Sequence, residues 1–296
     1  MRIAILGMGN MGRAFAARAL ETGHQTTVWN RSPGRAQALV ADGAVEAGSP
    51  SEAVADADVV LVVLADDGAV LDVCLGADGV LRSLGPAALF ANVSTVSPHT
   101  ARRLAEEGPR DRVLDAPVMG SPQMIAGGMG RFLVGGPERA VEALDPVWTS
   151  LGSGAVHCGP TGAGVTMKII ANSLLITGVA SLAEAVATAR QHSIPDELLR
   201  GLLADSPVVS AASTLRLDSL LDATHPGWFS PALARKDLRL AIDLAEEAGV
   251  GVRVGPAAET LLSTVVDAGG EWPDFTAVIE ALPGEPARQE GKPGGA

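Results

Sequence analysis

The chain has 296 residues, room for two domains with separate cores, and 47% of them are apolar, as in a globular protein. A formal net charge of −12 without any lysine or arginine cluster argues against a nucleic-acid partner, and the complete lack of tyrosine removes the phenol as a proton donor. No uninterrupted apolar run of about eighteen residues occurs, so no membrane span is expected. Cys74 and Cys158 lack metal-ligand spacing and read as small buried hydrophobes in a reducing cytoplasm, and the five histidines, at 24, 99, 157, 192 and 225, are scattered singly, so no metal is implied.

The chain opens with Arg2-Ile3-Ala4-Ile5-Leu6, an apolar run too short for a signal peptide that reads as a first strand. It leads into Gly7-Met8-Gly9-Asn10-Met11-Gly12 and then a helix whose apolar face is set by Met11, Ala14, Phe15 and Ala19. In such a turn the first glycine permits the bend, the second lets the backbone approach a pyrophosphate, and the third lets helix pack on strand. The phosphates are expected at the positive end of the helix. The second strand, Gln25-Thr26-Thr27-Val28-Trp29, ends in Asn30-Arg31-Ser32, where an NAD-specific domain usually carries an acid for the ribose 2′-hydroxyl. A guanidinium and a hydroxyl there suit a 2′-phosphate, which points to NADP (NADPH) as cofactor, against the plain reading of a solvated turn.

Strands are expected at 58–64, 87–93, 112–114 and 130–135, and helices at 98–107 and 137–150; this alternation predicts a mostly parallel sheet covered on both faces. Leu64 and Ala65, where the third strand ends, join the expected cofactor-binding residues, because ligands bind at the carboxyl ends of such strands. After Gly159-Pro160-Thr161-Gly162-Ala163-Gly164 the pattern becomes one long helix over 165–192, apolar on much of its circumference. Further helices are expected at 196–204, 211–221, 230–248 and 256–268, giving an all-helical second domain, and residues 283–296 read as a mobile tail.

Four motifs carry the chemistry. Asn92-Val93-Ser94-Thr95-Val96-Ser97-Pro98 follows a strand, and Ser94 and Thr95 there suit either a ligand site or a helix cap before Pro98. Asp115-Ala116-Pro117-Val118-Met119-Gly120-Ser121 ends in a turn whose backbone amides can receive an anion. Lys168 and Asn172, four apart on the long helix, share a face, and Met167, Ile169, Ile170, Leu174 and Leu175 around them are expected to desolvate the lysine and lower its pKa. Phe229-Ser230-Pro231-Ala232-Leu233-Ala234-Arg235-Lys236-Asp237-Leu238 completes the set; by itself its Lys-Asp pair reads equally well as a surface ion pair.

In this order the motifs resemble those of the β-hydroxyacid dehydrogenases, the group of 3-hydroxyisobutyrate dehydrogenase, glyoxylate/succinic semialdehyde reductase and, more distantly, 6-phosphogluconate dehydrogenase, over residues 1–268. The resemblance implies an α/β fold: a Rossmann-type doubly wound sheet (1–162), then an all-helical substrate and oligomerisation domain (163–282) joined by the long interdomain helix. It implies Lys168 as the proton-transfer group, Asn172 orienting substrate, and Ser94 and Thr95 beside the nicotinamide, with Lys236 facing the cofactor cleft. Ser94, Met119, Gly120, Ser121, Lys168, Asn172 and Phe229 become the substrate-binding set. The sequence departs from the family pattern at Asn92, where Asp is common, at Met119, where a serine is expected, at Ser121, where a glycine is, and at Ala171, where many relatives have asparagine. The expected function is NADP(H)-dependent interconversion of a small acidic aldehyde or oxo acid and its hydroxy acid, in a homodimer or homotetramer. Two alternatives stand beside it. One is an imine reductase-like enzyme, which shares the Trp29-Asn30-Arg31-Ser32 strand ending and is favoured by Met119; the other is a non-catalytic NADP-binding module.

Overall fold

Strands of two to five residues build the sheet, and the central ones are apolar in both side-chain directions. In β1 (Arg2–Leu6), Ile3 and Ile5 enter one core cluster while Ala4 and Leu6 enter another, so the strand is buried on both faces. The computed structural model describes residues 1–282, and the tail expected to be mobile lies outside the described residues.

Around β1 lie β2 (Gln25–Trp29), β3 (Val45–Glu46), β4 (Val59–Val62), β5 (Leu89–Asn92), β6 (Val113–Asp115), β7 (Val118–Met119), β8 (Arg131–Gly135) and β9 (Ala155–Gly159). Their order is β3-β2-β1-β4-β5-β6-β8-β7, with β9 beside β8, in one nine-stranded sheet. Pairing is parallel from β3 through β6 and between β8 and β9; β8 runs antiparallel to β6 and β7. Parallel neighbours require crossovers, and helices supply them. The helix Asn10–Glu21 covers one face through Phe15 and Ala19, where Phe15 stacks on Phe132 at 5.6 Å and Phe132 meets Trp148 at 4.8 Å. The helix Pro98–Glu107 covers the other through Ala101 and Leu104.

Where the structure departs from the sequence reading, local chemistry explains it. The helix expected over 137–150 divides into Glu138–Ala143 and Asp145–Leu151, because Pro146 has no N–H to continue the first. The one expected over 211–221 divides into Ala211–Thr214 and Leu217–Leu221. Several short elements had no periodicity to announce them: the helices Gln37–Ala41, Pro50–Val54, Val80–Ser83 and Pro122–Ala126, and the strands β3 and β7. Asp67–Leu75 is longer, and its signal was Asp66, which caps it by accepting from the Ala69 N–H at 2.8 Å.

The chain divides into two units, Met1–Ile170 and the residues from Ala171 on, and the division falls inside the long helix Ala163–Gln191. In the second unit every described element is helical. Its core gathers Ile176, Val179 and Val186 of the long helix with Leu220, Leu262 and Phe275. The long helix is apolar and long enough, by length and composition alone, to cross a membrane, and 44% of its most apolar window is buried within the chain. Its opposite side leaves Met167, Ile170 and Leu174 exposed at 46%, 44% and 69%. Neither cysteine is bridged: Cys74 is buried, and burial pushes its thiol up to about 12, while Cys158 is half-buried.

Candidate cofactor and proton-transfer site

The turn after β1 is shaped by contacts only glycine tolerates. Gly7 holds φ at +104°, and its N–H donates to the Trp29 carbonyl at 2.8 Å, tying the turn to β2. At Gly12 any Cβ would strike the Gly7 carbonyl, so the helix Asn10–Glu21 begins directly against the turn. Gly9 is the N-cap of that helix, makes no side-chain capping bond, and has open space where a side chain would stand. An uncapped helix start with room before it fits a pyrophosphate, whose oxygens take the first-turn N–H groups.

Met8 is fully buried, Met11 half-buried, and Asn10 exposed with Oδ1 accepting from Arg13 Nη2 at 2.9 Å. Asn30 does work that its place after a strand did not announce. Its Oδ1 accepts from the Met8 N–H at 2.9 Å and its Nδ2 donates to the Ser32 carbonyl at 2.8 Å, so it staples the glycine turn to the second strand's ending. Arg31 and Ser32 beyond it are exposed.

At the next strand ends, Leu64 is half-buried and Ala65 exposed. Ser94, expected to meet cofactor and substrate, is 3% exposed, and its hydroxyl is engaged with the scaffold: Oγ accepts from the Leu64 N–H at 2.8 Å and donates to the Val62 carbonyl at 3.2 Å. It braces β4 against β5, while Thr95 beside it is half-buried. Neither caps the helix before which they stand; Ser97 does, accepting from the Thr100 N–H at 3.1 Å.

Asp115, at the end of β6, is 1% exposed, and sequence reasoning had assigned it no task. Its Oδ1 accepts from the Gly162 N–H at 2.7 Å and its Oδ2 from the Val165 N–H at 2.9 Å, so one carboxylate gathers the start of the long helix. Gly164 lets that helix close on the sheet, since a Cβ there would strike the Leu133 carbonyl. Burial pushes the Asp115 carboxyl above its ordinary value, against the opposing pull of backbone N–H groups at Gly162 and Val165. The signal available in sequence was an acid closing an otherwise apolar strand, Val113-Leu114-Asp115.

Lys168 follows on the same helix and is half-buried. The apolar jacket expected around it is incomplete: Ile169 is fully buried, but Met167, Ile170 and Leu174 face outward, because the helix turns them away from this chain's own core. Met119 ends β7 and is 39% exposed. After it, Gly120 holds φ at +150°, and Ser121 spends its hydroxyl capping the helix Pro122–Ala126, accepting from the Met124 N–H at 3.2 Å.

In the second unit, Asn172 is 5% exposed and donates from Nδ2 to Asp237 Oδ2 at 2.6 Å. Asp237 Oδ1 lies 2.7 Å from Lys236 Nζ, and since Asp237 is 3% exposed the Lys-Asp pair is not the surface pair the sequence allowed. Phe229, expected to touch substrate, is a core residue here: it is 7% exposed, edge-on to Phe275 at 5.3 Å and stacked with Trp228 at 5.7 Å. The glycine turn, the Asn30 to Ser32 segment, the strand ends, Met119 to Ser121 and Lys168 lie in the first unit, and Asn172, Phe229 and Lys236 in the second. Lys168 and Asn172 stand one turn apart on one continuous helix.

Comparison with known proteins gives two family matches in chain order: the NAD binding domain of 6-phosphogluconate dehydrogenase over residues 2–159, and the NAD-binding domain of NADP-dependent 3-hydroxyisobutyrate dehydrogenase over residues 162–282. The chain is 29% identical to glyoxylate/succinic semialdehyde reductase 2, chloroplastic, of Arabidopsis thaliana, over 97% of this chain and 81% of that protein. It is similar to the structure of Mycobacterium tuberculosis 3-hydroxyisobutyrate dehydrogenase with L-serine, at 30% identity and a TM-score of 0.80, covering 95% of this chain and 99% of that one. A reductive aminase from Aspergillus terreus in complex with NADPH and ethyl levulinate matches at 25% identity and a TM-score of 0.62, covering 94% and 98%.

The raised Asp115 carboxyl has a measurable consequence. The folded chain holds that proton to higher pH than the unfolded chain, so stability contributed by Asp115 is present below about pH 4 and is lost as pH rises through the folded value, each tenfold difference in proton affinity between the two states being worth about 1.4 kcal/mol. Urea unfolding of wild type and Asp115→Asn from pH 4 to pH 8 is expected to show wild type losing its advantage over that range. An advantage that instead grows with pH would mean the helix amides outweigh burial.

Proposed function

The chain belongs to the β-hydroxyacid dehydrogenase family of NAD(P)-dependent oxidoreductases acting on CH–OH and C=O groups, and on that footing we propose that it uses NADP(H) to interconvert a small acidic aldehyde or oxo acid and its hydroxy acid, with Lys168 transferring the proton. The observation that carries this reading is the placement of Lys168 on the helix that Asp115 anchors at the carboxyl end of the sheet.

Gly7 to Gly12 would hold the pyrophosphate, and Arg31 and Ser32, exposed at the end of β2, would take the 2′-phosphate. When bound, the nicotinamide supplies or takes up the hydride. The chain's own groups handle the proton and the orientation. As negative charge develops on the carbonyl oxygen, the Lys168 ammonium donates a proton to it, a task for which a chain without tyrosine has no phenol. In the first unit the Gly120 and Ser121 backbone would receive the substrate's acidic group, and the family pattern gives Asn172 the task of orienting substrate and Lys236 that of an added cation.

A second reading is supported by Met119, exposed at the end of β7. A thioether there offers an apolar, adaptable side chain and no hydroxyl, which suits an apolar C=N substrate better than a carboxylate. The reductive aminase similarity is consistent with it.

NADPH oxidation followed by absorbance with succinic semialdehyde, glyoxylate and a cyclic imine separates the two readings. Turnover of an acidic aldehyde that falls by about 10²- to 10⁴-fold in Lys168→Ala is expected; turnover confined to the imine, or surviving the substitution, would replace the first reading by the second. Arg31→Ala is expected to raise KM for NADPH by about tenfold or more and leave NADH unaffected, the loss of one charge-assisted contact being about 1.5–3 kcal/mol. Equal effects on both cofactors would remove Arg31 from 2′-phosphate recognition. The outward row Met167, Ile170 and Leu174 supports a homodimer or homotetramer; gel filtration at the mass of a 30.0 kDa monomer would count against it.

A further inference from the structure

The loops that follow β4 and β5 are fastened to each other at two points. Where they leave the sheet, Ser94 Oγ accepts from the Leu64 N–H at 2.8 Å. Further out a single oxygen, Asp67 Oδ1, accepts from the Ser97 N–H at 3.0 Å and from the Ser97 hydroxyl at 2.5 Å. Asp67 is the first residue of the helix Asp67–Leu75 and Ser97 is the N-cap of Pro98–Glu107, so one side chain ties the starts of two helices together. Capping its own helix is not the task of Asp67, since Asp66 does that. Core packing is not its task either, because Asp67 and Ser97 are half-buried whereas Ser94 is buried. Between the two fastenings stand Ala65, exposed, and Thr95, half-buried.

The place of these loops in the sheet says which part of a dinucleotide they meet. The order β2-β1-β4-β5 puts them on the side of β1 opposite to β2. In a doubly wound sheet the adenosine ribose is read at the end of β2 and the pyrophosphate rests on the turn after β1, so the other half, nicotinamide and its ribose, falls at the ends of β4 and β5. The loop after β4 lies directly against that turn, since a Cβ at Gly7 would strike the Val63 carbonyl. We propose that Asp67 is a positioning residue for the nicotinamide half of the cofactor: through Ser97 it holds segment 94–97 against segment 64–67 and so sets the surface on which that half rests. The inference rests on the dinucleotide cofactor of the proposed function, and every residue it uses lies in the first unit. Loops already fixed in the free protein lose little freedom when ligand arrives, so the fastening is felt as affinity for the part of the ligand the loops touch.

The test is calorimetric titration of wild type, Asp67→Ala and Asp67→Asn with two pairs of ligands, NADPH with 2′-phospho-ADP-ribose and NADH with ADP-ribose. The second member of each pair lacks the nicotinamide, and the pair that wild type binds is the one compared across the variants. Asp67→Ala is expected to raise Kd for the whole dinucleotide about tenfold while Kd for the truncated ligand stays within about twofold, a factor of ten being about 1.4 kcal/mol. Asp67→Asn removes the charge but keeps an oxygen that accepts from Ser97, and it is expected to bind both ligands within about twofold of wild type. A general loss of stability would not single out the ligand that carries nicotinamide. Equal losses for both members of the pair, no loss for either, or a loss in Asp67→Asn as large as in Asp67→Ala would each overturn the proposal. Hydrogen exchange of the Ser97 backbone amide, read by NMR on the free protein, follows the fastening without any ligand. Exchange is expected to be faster in Asp67→Ala than in wild type and unchanged in Asp67→Asn; an unchanged rate in Asp67→Ala would overturn the fastening itself. If wild type binds neither pair, the cofactor reading falls and the proposal with it, whereas tight binding with equal shifts removes the proposal alone.

Discussion

The carboxylate of Asp115 is the constraint on which the candidate site depends. It is buried at the end of β6 and accepts the backbone N–H groups of Gly162 and Val165, converting the positive end of the long helix into an anchor on the sheet. Hydrogen bonds to a charged group contribute about 1.5–3 kcal/mol each, enough to offset much of the cost of taking one carboxylate out of water. With Gly164 letting the helix close on the sheet, the position of Lys168 along it is set by counting residues from that anchor. A misplaced helix start would rotate Lys168 by about 100° per residue of slip.

The same economy governs the polar side chains around the strand ends. Ser94 spends its hydroxyl on the Leu64 N–H and the Val62 carbonyl, Asn30 its amide on the Met8 N–H and the Ser32 carbonyl, and Ser121 its hydroxyl on the Met124 N–H. Buried polar groups must be paired, and here the partners are backbone groups of the loops that would receive ligands. These residues hold the shape of the loops at the strand ends, and leave Arg31 and Ser32 exposed beyond them. Met119 is exposed at the end of β7, an apolar side chain where the family pattern has a hydroxyl.

Much of the architecture was legible because its signals are local. A five-residue apolar strand, a glycine turn and a helix with a periodic apolar face can each be read within a short window, as can the switch from alternating strands and helices to helices alone. Elements of two to five residues, such as β3, β7 and Val80–Ser83, carry too few residues for any period to show, and tertiary contacts decide them. Phe229 shows what a motif leaves out: its ring lies beside Phe275 and Trp228 and is 7% exposed, contacts that no local pattern announces.

By itself, the sequence determined that a glycine turn joins the first strand to its helix, that no acid closes the second strand, and that Lys168 and Asn172 lie one turn apart, because these follow from chemistry within a few residues. Only the tertiary structure decided which polar atoms are spent on the scaffold and which are turned outward. Asp115 meets Gly162 and Val165 from 47 and 50 residues away, and Asn172 meets Asp237 from 65. Partners so distant along the chain leave no periodic trace in it, since what brings them together is the burial of the sheet and helices that carry them.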